Sequence, residues 1–431
     1  MTVAIAGFAV VLTLIFLRLP IGIAMALVGS IGFALLTNTS ASWSMIAQTT
    51  YSTGLDYTFS TLPLFILMGN FVNRAGFSDE LYAASHAFLG HRRGGLATAT
   101  IFACGGLAAV SGSSLATAAT MAKVAMPPMR RFGYADSLAA GAIAAGGTLG
   151  IIIPPSVIMV VYGVITETDI GSLFIAGIVP GVLGVIGYSI AIEAWTRINP
   201  AVGPPGERTG WPDRLRALAR VWGILVLFLL VIGGIYGGAF TATEAAGIGA
   251  GGAFLFALAR GSLTWPVLAG ILAETVVTTT VIFVIVIGAL IFANFVNIAG
   301  LPAGLGAAVQ AFGVTPIVVI LAIVVVYLIL GCILDSLSMI LLTVPTFYPL
   351  VVELGYSPIW FGILVTVATE ISLITPPIGL NVFVLRAALP EVPTSTIFRG
   401  IFPFLYADIV RLLLIVFVPA IALFLPGIMP R

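Results

Sequence analysis

The chain has 431 residues, of which 60% are hydrophobic and only 8% charged, against roughly a quarter charged in an average soluble domain. That composition excludes a soluble globular protein, and a net charge of +1 gives no argument for nucleic acid or an acidic partner, so the charges matter through their placement. Cys104 and Cys332 are too few for a disulfide framework or a cysteine metal site. Apolar runs recur along the whole length, so a single integral membrane domain, 1–431, is expected. The first run has no basic n-region and no small-residue cleavage pattern; its first charge is Arg18, and it reads as a retained transmembrane helix.

At about 20 residues per crossing, spans fall near 2–17, 20–37 and 57–74. The run 95–129 is interrupted by Val110-Ser-Gly-Ser-Ser114 and reads as a hairpin that enters and returns. Spans near 136–165 and 172–195 complete a first half, 1–198. Residues 199–217, opening with Asn199-Pro-Ala-Val-Gly-Pro-Pro-Gly206 and rich in arginine, read as an inside linker. The second half, 218–431, has spans near 218–238, 242–259 and 273–297, a hairpin 303–352 interrupted at Gly331-Cys-Ile-Leu-Asp-Ser-Leu-Ser338, and spans near 357–386 and 400–428. The expected fold is an all-α polytopic membrane protein of about ten transmembrane helices plus two re-entrant hairpins.

Arginine placement orients it, because inside loops are enriched in Arg and Lys. With the N-terminus outside, 16 of the 17 basic residues fall inside, Arg411 among them, and only Arg431 outside. Reading 95–129 as one crossing would set Arg92 and Arg93 opposite Arg130 and Arg131.

The halves also repeat. Asn70-Phe-Val-Asn73 with Ala75-Gly76 recurs 224 positions later as Asn294-Phe-Val-Asn297 with Ala299-Gly300; Gly133-Tyr134 and Pro154-Pro155 recur at 222; Gly177-Ile178 and Pro180 at 223. Nearly constant offsets in the same order indicate duplication. Each copy has an odd number of crossings, so the second lies upside down, as in inverted-topology repeats.

Non-helical backbone at membrane depth is tolerated only inside protein or beside a water-filled cavity, so the two tips and the two Pro-Pro breaks mark the site. Paired prolines leave carbonyls free to face a cation, and half-helix N-termini present amides to an anion. Asp335 and Glu370 are the carboxylates away from loops, and intramembrane charge is costly enough to imply function. Glu370 lies 12 residues into its span, about 18 Å deep; it can serve as cation ligand, proton carrier or cap of backbone amides. No Lys or Arg is expected at mid-membrane depth. Gly247-Ile-Gly-Ala-Gly-Gly252 lies inside an apolar span and reads as helix packing rather than a nucleotide loop.

Val110-Ser-Gly-Ser-Ser-Leu-Ala116, Gly146–Ser156 with Ile-Ile-Ile-Pro-Pro-Ser, and Glu370–Gly379 with Ile-Thr-Pro-Pro-Ile-Gly together resemble the large membrane subunit of the tripartite ATP-independent periplasmic (TRAP) transporters, over essentially the whole chain. The resemblance implies an elevator-type carrier of the ion-transporter superfamily in the bacterial inner membrane, with both termini periplasmic. It also implies sodium-driven uptake of a small solute, usually an organic acid, with a small four-helix membrane subunit and a periplasmic solute-binding protein as partners. Carried over by motif, Ser111, Ser113, Gly147 and Gly150 would line one sodium site, and Gly331, Asp335, Thr369 and Ser372 a second. Ser114, Thr117, Pro155, Ser338 and Pro377 would border the solute. The alternatives are a stand-alone sodium/dicarboxylate symporter of the same superfamily, an ion channel and, without a nucleophile and base pair to support it, an intramembrane hydrolase.

Overall fold

The computed structural model describes residues 1–429, all of whose regular structure is helical. Arg431, the basic residue expected outside, lies beyond the described residues. The apolar α1 (Thr2–Phe16) and α2 (Ile21–Leu36) lead into α3 (Thr39–Leu55), which the sequence reading missed because its Ser/Thr content masks an apolar run. Asn38 starts α3 by accepting the Ala41 amide at 2.8 Å. At Asp56 the chain bends by 55° through a short 3-10 turn into α4 (Thr61–Arg74), and Gly76, at φ 76°, turns it into α5 (Phe77–Leu89).

The first hairpin is α6 (Gly95–Ser111) and α7 (Ser114–Arg131), reversing at Gly112 with φ 61°. Its outer ends return to one place: the Gly94 amide donates to the Gly203 carbonyl at 2.9 Å, and the Ala135 amide to Val202 at 3.0 Å. The expected span 136–165 is two pieces, α8 (Asp136–Thr148) and α9 (Val157–Thr166), separated by a 3-10 turn and Pro154-Pro155. The unbroken α10 (Ile170–Ile198) follows. The linker ends in α11 (Trp211–Arg220), tied down where buried Arg214 donates to the Ala87 carbonyl at 3.0 Å, and bends by 49° into α12 (Trp222–Tyr236).

Next come α13 (Ala242–Ala259), begun by a Thr241/Glu244 capping box, and the 34-residue α14 (Trp265–Ile298). The second hairpin is shorter than expected: α15 (Leu301–Ala311) is a separate helix, ended near Gly313, and the hairpin arms are α16 (Pro316–Gly331) and α17 (Ser336–Glu353). The expected span 357–386 is again broken, into α18 (Pro358–Ser372) and α19 (Leu380–Ala388) around Pro376-Pro377. The chain closes with α20 (Thr394–Phe417) and α21 (Ala420–Gly427). The order two helices, hairpin, broken helix, long helix thus occurs from α4 to α10 and again from α14 to α20.

Among the described residues five helices are long and apolar enough to cross a membrane alone, or up to seven spans if each bent pair counts once. The outer helix faces are apolar: Leu35 on α2, Leu229 on α12, and Val276 and Val277 on α14 are all more than 60% exposed, a surface stable against lipid and not against water. Packing between helices relies on small residues, as expected where lipid tails remove the hydrophobic driving force. On α2 and α14 the backbones touch, since a Cβ on Gly288 would collide with the Gly22 carbonyl and one on Gly29 would lie 2.7 Å from the Phe292 Cα. Gly141 of α8 and Gly400 of α20 meet in the same way. Gly249 and Gly252, in the glycine run of α13, face Met68 and Leu227 as packing contacts.

Candidate functional site

Both hairpin tips open onto one cavity of about 240 Å³. Ser111, Ser113 and Ser114 reach it from the first tip and Asp335 and Ser336 from the second, while α4 contributes Asn70 and Asn73 and α14 contributes Glu274 and Thr278. Ile151 and Leu373, one beside each helix break, close the inner wall. Each tip is held by its own helix start. Ser113 caps α7, accepting the Ala116 amide at 3.4 Å, and Asp335 caps α17, accepting the Ser338 amide at 3.2 Å and the Ser338 hydroxyl. The N-termini of two half-helices therefore face the same space.

The sequence-predicted residues fall into two clusters behind the tips. In the first, a Cβ on Gly150 would lie 2.8 Å from the Ser113 carbonyl oxygen, and one on Gly147 would lie 2.7 Å from the Ala118 Cβ. The glycines therefore let the first break abut the first tip. Thr117, buried one turn in, shares a hydrogen bond with Ser111 at 3.0 Å and donates to the Ser113 carbonyl at 2.8 Å. The Pro155 carbonyl lies 2.9 Å from the position of a Cβ on Gly112. In the second cluster Gly331 lies directly against the Ser372 hydroxyl, which donates to the Thr369 carbonyl at 2.6 Å, while Thr369 donates to Val365 at 2.8 Å. Pro377 is exposed and does not line the cavity.

Asn70 and Asn73 entered the sequence reading only as repeat markers. Asn70 donates to Thr275 at 3.0 Å, whereas the Asn73 side-chain oxygen is buried without a hydrogen-bond partner, an acceptor left for something in the cavity. Their counterparts Asn294 and Asn297 line a second cavity of about 250 Å³ beside Tyr348.

One expectation is overturned. Arg411 is not in an inside loop but buried within α20, 2.8 Å from the Glu370 carboxylate and 2.7 Å from Asp408. Tyr188 donates to Asp408 at 2.7 Å, and Thr148 donates to Glu370 at 3.0 Å. Gly184 leaves the room that the guanidinium takes. Glu370 therefore faces Arg411 and not the cavity. The sequence did hold a signal for this: Asp408 and Arg411 stand three apart in an apolar run, the spacing of one helix face. Tyr188 and Arg411 are also repeat equivalents at the 223 offset. The cluster bridges α8 and α10 to α18 and α20, directly behind the two breaks.

Residues 8–421 match the family model described as "Tripartite ATP-independent periplasmic transporter, DctM component". A C4-dicarboxylate TRAP transporter large permease protein of Pseudomonas aeruginosa is 37% identical over 380 residues, 88% of each chain. A sialic acid TRAP transporter large permease protein of Vibrio cholerae is 32% identical, and an ectoine one of Halomonas elongata 31%, covering 96% and 97% of both chains respectively. The crystal structure of the Alcanivorax borkumensis YdaH transporter shares the fold, with a TM-score of 0.62 at 16% identity over 89% of this chain and 87% of that one. These relatives are transporters rather than enzymes, and the chain belongs with them, to the large membrane subunits of the tripartite ATP-independent periplasmic transporters.

Proposed function

We propose that this chain is the translocating subunit of a sodium-driven uptake system of the bacterial inner membrane. In this reading about ten crossings form two inverted-topology repeats, 1–198 and 218–431, with both termini periplasmic and the linker 199–217 cytoplasmic. The α6–α7 and α16–α17 pairs are re-entrant and move with the broken helices as an elevator against the remaining scaffold. A periplasmic solute-binding protein hands over the solute, and a small four-helix membrane subunit completes the assembly.

The observation that carries the reading is the meeting of both hairpin tips at one cavity beside both helix breaks. A hard cation is held by oxygen ligands. The donors present suit one: Ser111, Ser113, Gly147 and Gly150 at the first site, and Gly331, Asp335, Thr369 and Ser372 at the second. Backbone carbonyls freed at the breaks add to these hydroxyls and to the Asp335 carboxylate, and the glycines let each break close up on its neighbouring tip or arm so that these oxygens converge. The solute lies between the tips, against Ser114, Asn70 and Asn73, with Thr117, Pro155 and Ser338 shaping the wall behind. Pro377 stands at the outer side of the second break.

An organic acid fits best. Two half-helix N-termini direct their amides into the cavity, and relatives are named for C4-dicarboxylates and for sialic acid. Arg411 is consumed by its own carboxylates and leaves recognition to those amides and to bound sodium. The test is uptake into proteoliposomes under an inward sodium gradient with each component omitted in turn. Concentrative uptake that needs the chain, the small subunit and the binding protein together is expected. Uptake by this chain alone would instead make it a stand-alone sodium/dicarboxylate symporter.

A further inference from the structure

On the face of α6 and α10 turned away from the solute cavity lies a groove of about 660 Å³. Arg92 and Arg93 stand at its mouth, both exposed and without a side-chain partner among the described residues, next to Arg197, which is paired with Glu193. With that pair neutral, the mouth carries two uncompensated positive charges. Below it the lining turns apolar: Phe102 is 47% exposed, Ile186 48% and Ile190 60%. Phe102 is seven residues beyond Gly95, and Ile190 seven before Arg197, so both lie about 10 Å below the arginines. Thr98, three beyond Gly95, occupies the level between, and Ser189 lies level with Ile190.

We propose that this groove is a binding site for an anionic phospholipid of the cytoplasmic leaflet. Its phosphate rests on Arg92 and Arg93, and one acyl chain runs down Phe102, Ile186 and Ile190. A phosphate above, the Thr98 hydroxyl at the ester level and mainly apolar groups beneath follow the order of a lipid read from headgroup to tail, and basic pockets between helices on the inner side suit such headgroups. Because α6 is the first arm of the hairpin, the lipid sits on the element that carries Ser111. The inference takes the inside position of Arg92 from the proposed topology, but its test reads binding directly and needs no transport.

The experiment is native mass spectrometry of the full chain, purified with its small membrane subunit and offered phosphatidylglycerol or phosphatidylcholine. Wild type should retain one phosphatidylglycerol. Arg92→Gln with Arg93→Gln should weaken retention by about thirtyfold, at roughly 1 kcal/mol per arginine, and Phe102→Ser should weaken it as well. Arg216→Gln with Arg220→Gln removes the same charge from the linker helix and should leave retention unchanged. Equal retention of phosphatidylcholine, or equal loss in the linker control, would overturn the site. Displacement of the lipid by glycerol phosphate at the same concentration would reduce it to a phosphate pocket and equally overturn the proposal.

Discussion

At the scale of single residues, the tips separate two duties that one side chain performs at once. Asp335 caps α17 and also faces the cavity. Asn caps a helix as well as Asp does, so Asp335→Asn should fold and insert normally while losing a charged oxygen. We expect it to raise the sodium concentration for half-maximal uptake by about tenfold, and an unchanged sodium dependence would reduce Asp335 to a cap. The Arg411 cluster makes the opposite kind of prediction, because its groups touch no part of the cavity. Arg411→Met leaves Glu370 and Asp408 buried without their counter-ion, which costs about 3–5 kcal/mol. Thermal unfolding in detergent should therefore fall well below wild type, whereas Asp335→Asn should not shift it.

At the scale of elements, the breaks explain what was legible in the sequence and what was not. Tips and Pro-Pro pairs stand out because glycine, serine and proline interrupt runs that are otherwise apolar, and the two tips and the two helix breaks are legible from those residues. Helices α3 and α5 are not legible as spans because the polar residues of α3, and Ser78, Asp79 and Glu80 in α5, dilute the apolar signal. The second hairpin, 303–352 in the sequence, is shorter in the structure, since α15 carries a single polar side chain, Gln310, and only the short turn 312–315 around Gly313 separates it from α16. Arg411 was misplaced because a charge in an apolar run reads as a loop until its partner, one helical turn away, is counted with it. The tip geometry is itself testable. Gly112 sits at φ 61°, and a Cβ there would come 2.9 Å from the Pro155 carbonyl. Gly112→Ala should cost about 1–2 kcal/mol at the reversal and separate the tip from the first break. We expect normal membrane insertion with strongly reduced uptake, and wild-type uptake would show that this contact is dispensable.

At the scale of the whole molecule, the pairing of α4 with the first tip and the second cavity beside α14 suggest how the halves alternate. A Cβ on Gly69 would lie 3.0 Å from the Ser111 carbonyl oxygen, so the first tip rests directly on the backbone of α4. Everything else rests on the two halves lying upside down relative to one another, because only then do two hairpins entering from opposite sides bring their tips to one cavity. Arg131 and Glu353 decide that point: they are repeat equivalents 222 positions apart, each exposed at the end of its hairpin's second arm. Arg131→Cys and Glu353→Cys, each in a chain without other cysteines, should be labelled by a membrane-impermeant maleimide from opposite sides, Arg131→Cys from the cytoplasm and Glu353→Cys from the periplasm. Labelling of both from the same side would contradict the inverted repeat and with it the shared site.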